Sequence, residues 1–186
     1  MPVLIVICVI TFLDQLTKAL ISRHLSHHDT MSVISGFFNL AHVHNTGAAF
    51  SMFHGSNMPL AIFSAVILTA MIIFRKRFFS GSLAQRLAIA MVTAGIIGNL
   101  MDRVKFASVV DIFDFYFGNY HFPTFNIADS SICIGVTIYV ICNFFEYHSN
   151  AAVVTDRRAG AAKETAAPQA GAEQPCCPDQ RTGDEQ

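Results

Sequence analysis

Four long apolar runs constrain this chain more than any other feature, because each approaches the length of a helix that crosses a lipid bilayer. They cover residues 3–21, 58–74, 83–101 and 127–145. A helix rises about 1.5 Å per residue, so roughly 20 apolar residues cross a hydrocarbon layer about 30 Å thick. The second run contains no charged residue and stops at Arg75-Lys76-Arg77. We therefore predict a mainly α fold, a four-transmembrane-helix bundle.

The composition agrees with a membrane protein rather than a soluble one. Hydrophobic residues make up 53% of the chain and charged residues 13%, and the mean hydropathy is +0.46. A formal net charge of -1 provides no basic face for nucleic acid, so nucleic acid is not expected as a partner. The five cysteines show no regular spacing, which argues against a disulfide framework or a zinc knuckle.

The basic residues predict the orientation in the membrane. The short connection between the second and third runs carries Arg75, Lys76, Arg77 and Arg86. Because cytoplasmic loops are enriched in Lys and Arg, this connection and both termini are expected in the cytoplasm. Residues 22–57 and 103–125 then form the extracytoplasmic segments.

Two segments outside the runs have distinct compositions. Val33 to Phe53 alternates polar and apolar residues, as in Ala41-His42-Val43-His44, and is expected to form a small extracytoplasmic β-rich cradle. Residues 151–186 are rich in Ala, Gly, Glu, Gln and Pro, so we expect a disordered cytoplasmic tail there. The membrane-embedded domain is accordingly expected to occupy residues 1–150.

Two aspartates stand at opposite ends of the stretch Val109–Asp129. A carboxylate near hydrocarbon costs roughly 2.5 to 3.5 kcal/mol and indicates function by default. Asp129 opens the fourth run, where it can also simply cap a helix. Asp111 and Asp114 share a face if their segment is helical and oppose one another if it is extended. Either of them is therefore a candidate partner for Asp129.

A pair of carboxyls suggests peptide hydrolysis. Two carboxyls at one site do not easily ionise together, so one keeps a proton while the other is a base. The base can activate water for attack on a peptide carbonyl, and the protonated group can polarise that carbonyl and protonate the leaving amine. This chemistry uses neither a metal nor a covalent intermediate. It predicts activity that is insensitive to chelators.

Other polar residues within the runs have a structural and a functional interpretation. Asn99 and Asp102 share a helix face beside Arg103, either as a capped helix end or as support for the carboxyl pair. Asp14 and Lys18 are spaced i, i+4 and can form an ion pair or brace the site. The stretch Asn45–Phe50 resembles a turn around Gly47.

Four rival interpretations compete with this one. The eight histidines include His42 and His44, but the sequence has no His-Glu-x-x-His motif and the pair fits a solvated strand, so no metal is expected. No Gly-x-Ser-x-Gly motif indicates a serine hydrolase. A proton-coupled transporter needs polar residues along a path through the membrane, whereas here they crowd at one side. A non-catalytic factor that uses the same carboxyls only for binding would look alike in sequence.

The polar blocks, taken in order, resemble the lipoprotein signal peptidase family, also called signal peptidase II. The resemblance covers about residues 1 to 148. It rests on five blocks: Asp14-Gln15-Leu16-Thr17-Lys18, Asn45 to Phe50, Gly98-Asn99 with Asp102-Arg103, Val109-Val110-Asp111, and Phe125-Asn126-Ile127-Ala128-Asp129.

This resemblance implies an aspartic endopeptidase of the bacterial inner membrane, with its active site at the outer face. It would remove the signal peptide from diacylglyceryl-modified prolipoproteins, cutting immediately before the lipidated cysteine. The family's catalytic pair matches Asp111 and Asp129, and its support and substrate-binding positions match Asp14, Lys18, Asn45, Gly47, Asn99, Asp102, Arg103 and Asn126. The implied protein is a monomer without a cofactor, whose partners are prolipoproteins and membrane phospholipids.

Overall fold

The structure is a computed structural model that describes residues 1–47 and 57–165, with the backbone alone described from residue 149. Met1–Phe145 form one compact unit, and Glu146–Gln186 form a second. The described elements are helices α1 (Pro2–His24), α2 (Asn57–Ile73), α3 (Arg75–Phe78), α4 (Leu83–Phe106) and α5 (Ile127–Thr165), and strands β1 (Thr30–Ile34), β2 (Phe38–Asn45), β3 (Val109–Phe117) and β4 (Tyr120–His121).

Among the described residues, three helices are long and apolar enough to cross a membrane. They are α1, α4 and the part of α5 from Ile127 to His148, with mean hydropathies of 2.0, 1.4 and 1.6. The fourth predicted span corresponds to α2, which is apolar but has only 17 residues. The mainly helical architecture with a small sheet is therefore as predicted, with three helices long enough to be candidate spans and one shorter apolar helix among the described residues.

Helix α4 lies at the centre of the first unit, where it contacts α1, α2 and β3. Small residues allow this close packing, since Ala90 and Ala94 are fully buried. A side chain added at Gly95 would collide with the Ala128 carbonyl, and a Cβ at Gly98 would lie 2.6 Å from an Asp14 carboxylate oxygen. This end of α4 therefore packs tightly against α1 and the start of α5.

The sheet is antiparallel, with the order β1-β2-β3-β4. Strand β2 and the last two residues of β1 fall within the predicted cradle, and β1 begins three residues before it, at Thr30, while residues 48–53 of that prediction lie outside the described residues. Strand β3 forms from the segment of Asp111 and Asp114, for which the sequence allowed either a helix or a strand. The extended form brings Phe113 and Phe115 against the rings of Phe38 and Phe125, and aromatic residues favour such half-buried strands.

Short connections deliver β3 to the end of α4. Ala107 adopts a left-handed conformation (φ 56°) and its N–H bonds to the Arg103 carbonyl, which ends the helix. The strand begins two residues later at Val109. Asp102 near the end of α4 and Asp111 in β3 are thereby fixed close to one another.

Helix α5 extends further than predicted. Its backbone remains helical to Thr165, past residue 151, at which the sequence predicts a disordered tail. Alanine is frequent in this stretch and is the strongest helix former, so local propensity accounts for the difference. Residues 166–186, including Cys176 and Cys177, lie outside the described residues, and disorder there stays a prediction.

Candidate active site

Asp111 lies on β3 and is 1% exposed. The side-chain amide of Asn45 donates a 3.0 Å hydrogen bond to its Oδ2, and that of Asn126 donates a 2.9 Å bond to its Oδ1. Burial, and after it the negative charge of Asp129, raise the pKa of Asp111 to about 7, while the two amide hydrogen bonds and the charge of Lys18 oppose the rise. Asp111 therefore exchanges a proton near neutral pH.

Asp129 lies in the first turn of α5, directly after the loop that returns from the sheet. Its Oδ2 accepts the backbone N–H of Asn126 at 3.2 Å, and its own N–H donates to Asn126 Oδ1 at 2.9 Å. These reciprocal bonds form a helix cap and fix the side-chain orientation. Asn99 donates a 2.7 Å bond to Asp129 Oδ1. Asp129 therefore caps α5 and also lies near a second carboxyl, so its position is compatible with both the structural and the functional interpretation.

Asn126 links the two carboxyls to the rest of the protein. It is fully buried, and its side-chain amide donates to Asp111 Oδ1, to the Val110 carbonyl and to Asn99 Oδ1. Because Asn99 itself donates to Asp129, a continuous chain of amide hydrogen bonds runs from Asp111 to Asp129. Both carboxyls are thus held by polar but uncharged side chains from α4, β2 and the start of α5.

A buried ionic cluster lies behind this pair. Lys18 Nζ lies 2.8 Å from Asp14 Oδ2 and 2.8 Å from Asp102 Oδ2, and it donates to Asn99 Oδ1 at 3.2 Å. The predicted i, i+4 pair of Asp14 and Lys18 is present, and both residues are buried. The cluster joins α1 to α4 and supports the amide that contacts Asp129.

The same two aspartates also hold the backbone of the neighbouring elements. Asp14 Oδ1 accepts the N–H of Ala128, one residue before Asp129, at 2.9 Å. Asp102 Oδ2 accepts the N–H of Val110, one residue before Asp111, at 3.3 Å. Each buried carboxylate therefore positions the backbone next to one member of the Asp111–Asp129 pair.

Arg103 and Gly47 lie at the side of the site. The Arg103 guanidinium donates to the Gly47 carbonyl at 3.1 Å, while the Gly47 N–H donates to Asn45 Oδ1 at 2.9 Å. Arg103 thus connects the end of α4 to the end of β2. Its backbone carbonyl accepts a 3.3 Å bond from the side chain of Asn57 at the start of α2.

Asp111 and Asp129 open into one cavity of about 580 Å³, the dyad cavity. Its polar side is formed by Asn45, Gly47, Asn99 and Arg103, and its apolar side includes Ile132, Cys133 and Ile134 of α5. The sequence-predicted residues that do not line it, Asp14, Lys18, Asp102 and Asn126, form the hydrogen-bonded layer behind it. The structure therefore brings all of the predicted site residues together.

Asp114, the alternative partner from sequence, has a different position. Its Oδ1 lies 2.9 Å from His121 Nδ1, and its Oδ2 accepts a 3.0 Å bond from the side chain of Asn39. It lines a neighbouring cavity and not the dyad cavity as the described residues define it.

Sequence reasoning assigned no role to Gln15 and missed the apolar wall of the site. The Gln15 amide donates to Asp102 Oδ1 at 2.9 Å, to the Gly98 carbonyl and to Asp14 Oδ2. Its i, i+3 spacing from Lys18 could have placed it on the same face of α1. The wall formed by Phe122–Phe125 carries no comparable signal, since it depends on the fold of the hairpin.

His42 and His44 lie beside each other on β2, with their Nε2 atoms 3.2 Å apart. His42 Nδ1 donates to the Leu25 carbonyl at 2.9 Å, and His44 Nδ1 lies 2.8 Å from Ser108 Oγ. In the part of the chain that the structure describes, no group of three or more His, Cys, Asp or Glu is arranged to hold a metal ion. These bonds connect the sheet to the ends of α1 and α4.

Comparison with known proteins gives a consistent result. The model of the family described as signal peptidase (SPase) II matches residues 6–145. The lipoprotein signal peptidase of Desulforapulum autotrophicum is 40% identical over 137 residues, which cover 71% of this chain and 85% of that protein. That of Bacillus pumilus is 38% identical over 137 residues, covering 74% and 88%.

A solved structure of a bacterial membrane enzyme has a similar fold. Its TM-score is 0.72 at 34% sequence identity, and the match covers 80% of this chain and 90% of that chain. A second structure of a bacterial membrane enzyme matches with a TM-score of 0.68, also at 34% identity. The comparison of folds and the comparison of sequences therefore agree.

Proposed function

Since this chain belongs to the signal peptidase II family of bacterial membrane peptidases, we propose that it removes signal peptides from lipid-modified prolipoproteins, with Asp111 and Asp129 as the catalytic pair. The observation that carries the proposal is the dyad cavity. Two carboxyls from distant parts of the sequence open into it, and amide donors from three elements hold them.

The pair would share one proton at neutral pH. The raised pKa of Asp111, about 7, is caused first by burial and then by the charge of Asp129, so double ionisation is unfavourable. One carboxyl then remains an acid while the other is a base. This division of roles supports hydrolysis without a covalent intermediate.

The reaction would proceed in two steps. The ionised carboxylate takes a proton from a water molecule as the water oxygen attacks the peptide carbonyl carbon, and the protonated carboxyl donates a hydrogen bond to the carbonyl oxygen. In the resulting tetrahedral intermediate the carbon–nitrogen bond breaks as a carboxyl delivers its proton to the leaving amine. One product carries a new carboxyl and the other a new amine, and the pair returns to its single proton.

The surrounding residues would hold this geometry. The side chain of Asn45 donates to Asp111, that of Asn99 donates to Asp129, and that of Asn126 donates to Asp111 and to Asn99. These bonds would keep the two carboxyls directed into the cavity. Arg103 lines the cavity, and its positive charge would stabilise the negative charge that develops on the carbonyl oxygen.

The membrane placement follows from the helices and their charges. With 17 residues, α2 is about 26 Å long, close to the thickness of the hydrocarbon layer, so it serves as the fourth span. The basic residues of α3 then lie in the cytoplasm with both termini, and the sheet and the dyad lie at the outer face. The protein is proposed to act as a monomer in the inner membrane.

The dyad cavity suits a lipidated membrane substrate. Ile132, Cys133 and Ile134 on α5 continue its lining away from the sheet, along a helix that would face lipid. An apolar signal peptide could enter between the spans at this side, which would place the bond just before the lipidated cysteine at the carboxyls. The cut at that bond is part of the proposal.

The direct test is processing of a lipid-modified prolipoprotein by the purified full-length protein in detergent or lipid. We expect cleavage of the lipidated substrate and a mature product whose first residue is the lipidated cysteine, as determined by mass spectrometry. The matched control is the same precursor with a serine in place of that cysteine. Equal cleavage of both precursors, or cleavage at another bond, would contradict the proposed specificity.

A further inference from the structure

Four histidines lie close together in the first unit. His42 and His44 lie on β2, and His27 and His28 lie in the loop between α1 and β1. The ring centroids of His42 and His44 are 5.1 Å apart, and that of His27 lies 4.6 Å from His44 and 5.8 Å from His42. The ring of His28 is 3.9 Å from that of His27. We call these four residues the histidine cluster.

The histidine cluster lies on the face of the sheet opposite the carboxyl pair. His44 is paired directly with Val110 of β3, whereas Val43 is paired with Asp111. Directly opposed residues on antiparallel strands project to the same side of a sheet, and successive residues along a strand alternate between its sides. The His44 ring therefore lies on the other side of the sheet from Asp111, and its contact with His42 places that ring there too.

The hydrogen bonds of the two strand histidines determine which ring nitrogen carries the hydrogen. His42 Nδ1 lies 2.9 Å from the Leu25 carbonyl, which can only accept, so Nε2 of the neutral ring holds a lone pair. His44 Nδ1 lies 2.8 Å from Ser108 Oγ, and the Ser108 hydroxyl donates to the Phe106 carbonyl at 3.3 Å. The Nδ1–H of His44 therefore donates to Ser108, and Nε2 of His44 holds a lone pair as well.

These two lone pairs meet without a hydrogen between them. The Nε2 atoms of His42 and His44 are 3.2 Å apart, which is a hydrogen-bond distance, yet neither nitrogen has a hydrogen to donate in these tautomers. The Ser22 hydroxyl lies 3.2 Å from His42 Nε2 and can donate to only one of the two. A cation bound to both nitrogens would satisfy both lone pairs.

Zinc fits this arrangement. Two Zn–N bonds of about 2.0–2.1 Å at a tetrahedral angle place the nitrogens about 3.3–3.4 Å apart, close to the 3.2 Å between the Nε2 atoms. Imidazoles that bind a metal donate their other N–H to an acceptor of the protein, as His42 does to Leu25 and His44 to Ser108. Burial and then the charges of the neighbouring histidines lower the pKa of His44, which favours the neutral ring that binds metals.

His27 is the nearest further ligand. Within the described part of the chain, no group of three such side chains already converges on one point, so the two strand histidines alone present their nitrogens to each other. The His27 side chain is exposed and lies in a loop, with its ring tilted 52° against that of His44. Rotation of this side chain would bring a third nitrogen to the same point, and water would complete the four positions around zinc.

We propose that His42 and His44 bind a zinc ion through their Nε2 atoms, with His27 turning to supply a third nitrogen. The ion would stabilise the fold, because His42 is bonded to the residue after α1 and His44 to the residue that precedes β3. Prolipoprotein cleavage would not require it, since the carboxyl pair lies on the other face of the sheet. Sequence spacing does not predict this site, because the hydrogen bonds that set the two lone pairs against each other come from distant segments.

The test is calorimetric titration of the purified, tag-free, full-length protein with zinc chloride in detergent near neutral pH. We expect one zinc ion per chain, and the midpoint of thermal unfolding should rise with the zinc concentration. His44→Ala should weaken zinc binding more than about tenfold, since disturbing an outer partner of a metal ligand already costs about 10- to 100-fold. It should also abolish the rise of the midpoint. His27→Ala should weaken binding less than His44→Ala does.

His24→Ala is the matched control, since His24 is an exposed histidine at the end of α1 whose ring is bonded to the Leu20 carbonyl. It should bind zinc as the wild type does. X-ray absorption at the zinc edge of the loaded wild-type protein should show at least two imidazole ligands, so the test stands even if His44→Ala does not fold. Unchanged zinc binding by a folded His44→Ala protein, a spectrum without imidazole ligands, or no zinc binding by the wild type would overturn the proposal.

Discussion

This protein contains two neighbouring pairs of carboxylates whose negative charges are compensated in different ways. Asp14 and Asp102 are each 2.8 Å from the ammonium of Lys18, and all three residues are buried. Asp111 and Asp129 receive their hydrogen bonds from amides and open into a cavity. The first group has its negative charge compensated by a cation, and the second has it compensated by dipoles.

This difference teaches which carboxylates support the structure and which are poised to react. A buried carboxylate beside a cation has its charge compensated and holds its partners in place, as Asp14 and Asp102 hold the backbone at Ala128 and Val110. A carboxyl held by amides beside a second carboxyl keeps a proton that it can give up, and Asp111 has its pKa raised to about 7. In the proposed function, the ionic cluster is the frame and the dyad is the reactive part.

The largest effect is expected from removing either reactive carboxyl. Asp111→Asn and Asp129→Asn preserve size and most hydrogen bonding but abolish the acid–base pair. We expect each variant to lose activity by a factor of about 10³ or more, in the range of general acid–base catalysis. The measurement is the rate of prolipoprotein cleavage by the purified variants.

Thermal unfolding of the same two variants in detergent is the control for this loss, and their midpoints should not fall below that of the wild type. Full cleavage by either variant would contradict the assignment of Asp111 and Asp129 as the catalytic pair. Inactivity accompanied by unfolding would instead place that aspartate with the frame.

The next effect concerns the frame. Lys18→Met keeps an unbranched side chain that is one atom shorter but leaves Asp14 and Asp102 buried without their cation. Removing one partner of a buried ion pair costs about 3–5 kcal/mol in the free energy of unfolding. Denaturant unfolding of the purified protein should show a loss of this size.

Arg23→Met provides the matched comparison, since Arg23 is an exposed cation on the same helix. It should change the free energy of unfolding by less than about 1 kcal/mol. If Lys18→Met were as stable as Arg23→Met but inactive, Lys18 would belong to the reactive part and the comparison of the two groups would fail.

A smaller, graded effect is expected with pH. The pair loses its shared proton as the pH rises through about 7, the pKa of Asp111, so kcat should fall about tenfold per pH unit above that value. The raised pKa also means that the folded protein binds this proton more tightly than the unfolded chain. Its contribution to stability therefore falls as the pH rises from about 3.8 to about 7 and is constant above.

Asp111→Asn should remove this part of the pH dependence of unfolding, so that the variant gains stability relative to the wild type between these two pH values. The measurement is the free energy of unfolding of both proteins across that range. A kcat profile that stays flat up to pH 9 would contradict a shared proton with this pKa.

Much of the frame was predictable from sequence because helices leave periodic signals. Apolar length predicted the helices, and i, i+4 spacing predicted the pair of Asp14 and Lys18. Asn126 was expected from the family resemblance, while i, i+3 spacing on one helix face predicted Asn99 and Asp102 as support for the carboxyl pair. These signals are local, so a single sequence contains them.

The rest depended on contacts between distant segments. The choice between a helix and a strand at Val109–Phe117 is decided by pairing with β2, which lies far away in sequence. The same pairing moves Asp114 next to Asn39, and the β4 hairpin brings in His121. Asp111 and Asp114 are only three residues apart, yet they line different cavities. Contacts with distant segments decide this, and the spacing of the two residues does not predict it.

The smallest effect should come from Asp114, which makes it the sharpest test of the distinction between those cavities. In Asp114→Asn the side-chain oxygen can still accept the Nδ1–H of His121, and the amide of Asn39 can rotate to present its oxygen to the new NH₂ group. We expect kcat within about threefold of the wild type, because the loss is confined to charge assistance in one hydrogen bond. Cleavage assays beside Asp111→Asn measure this directly. Complete loss of turnover in a folded Asp114→Asn protein would move the catalytic role three residues along β3, and the amide-held pair would no longer be the reactive one.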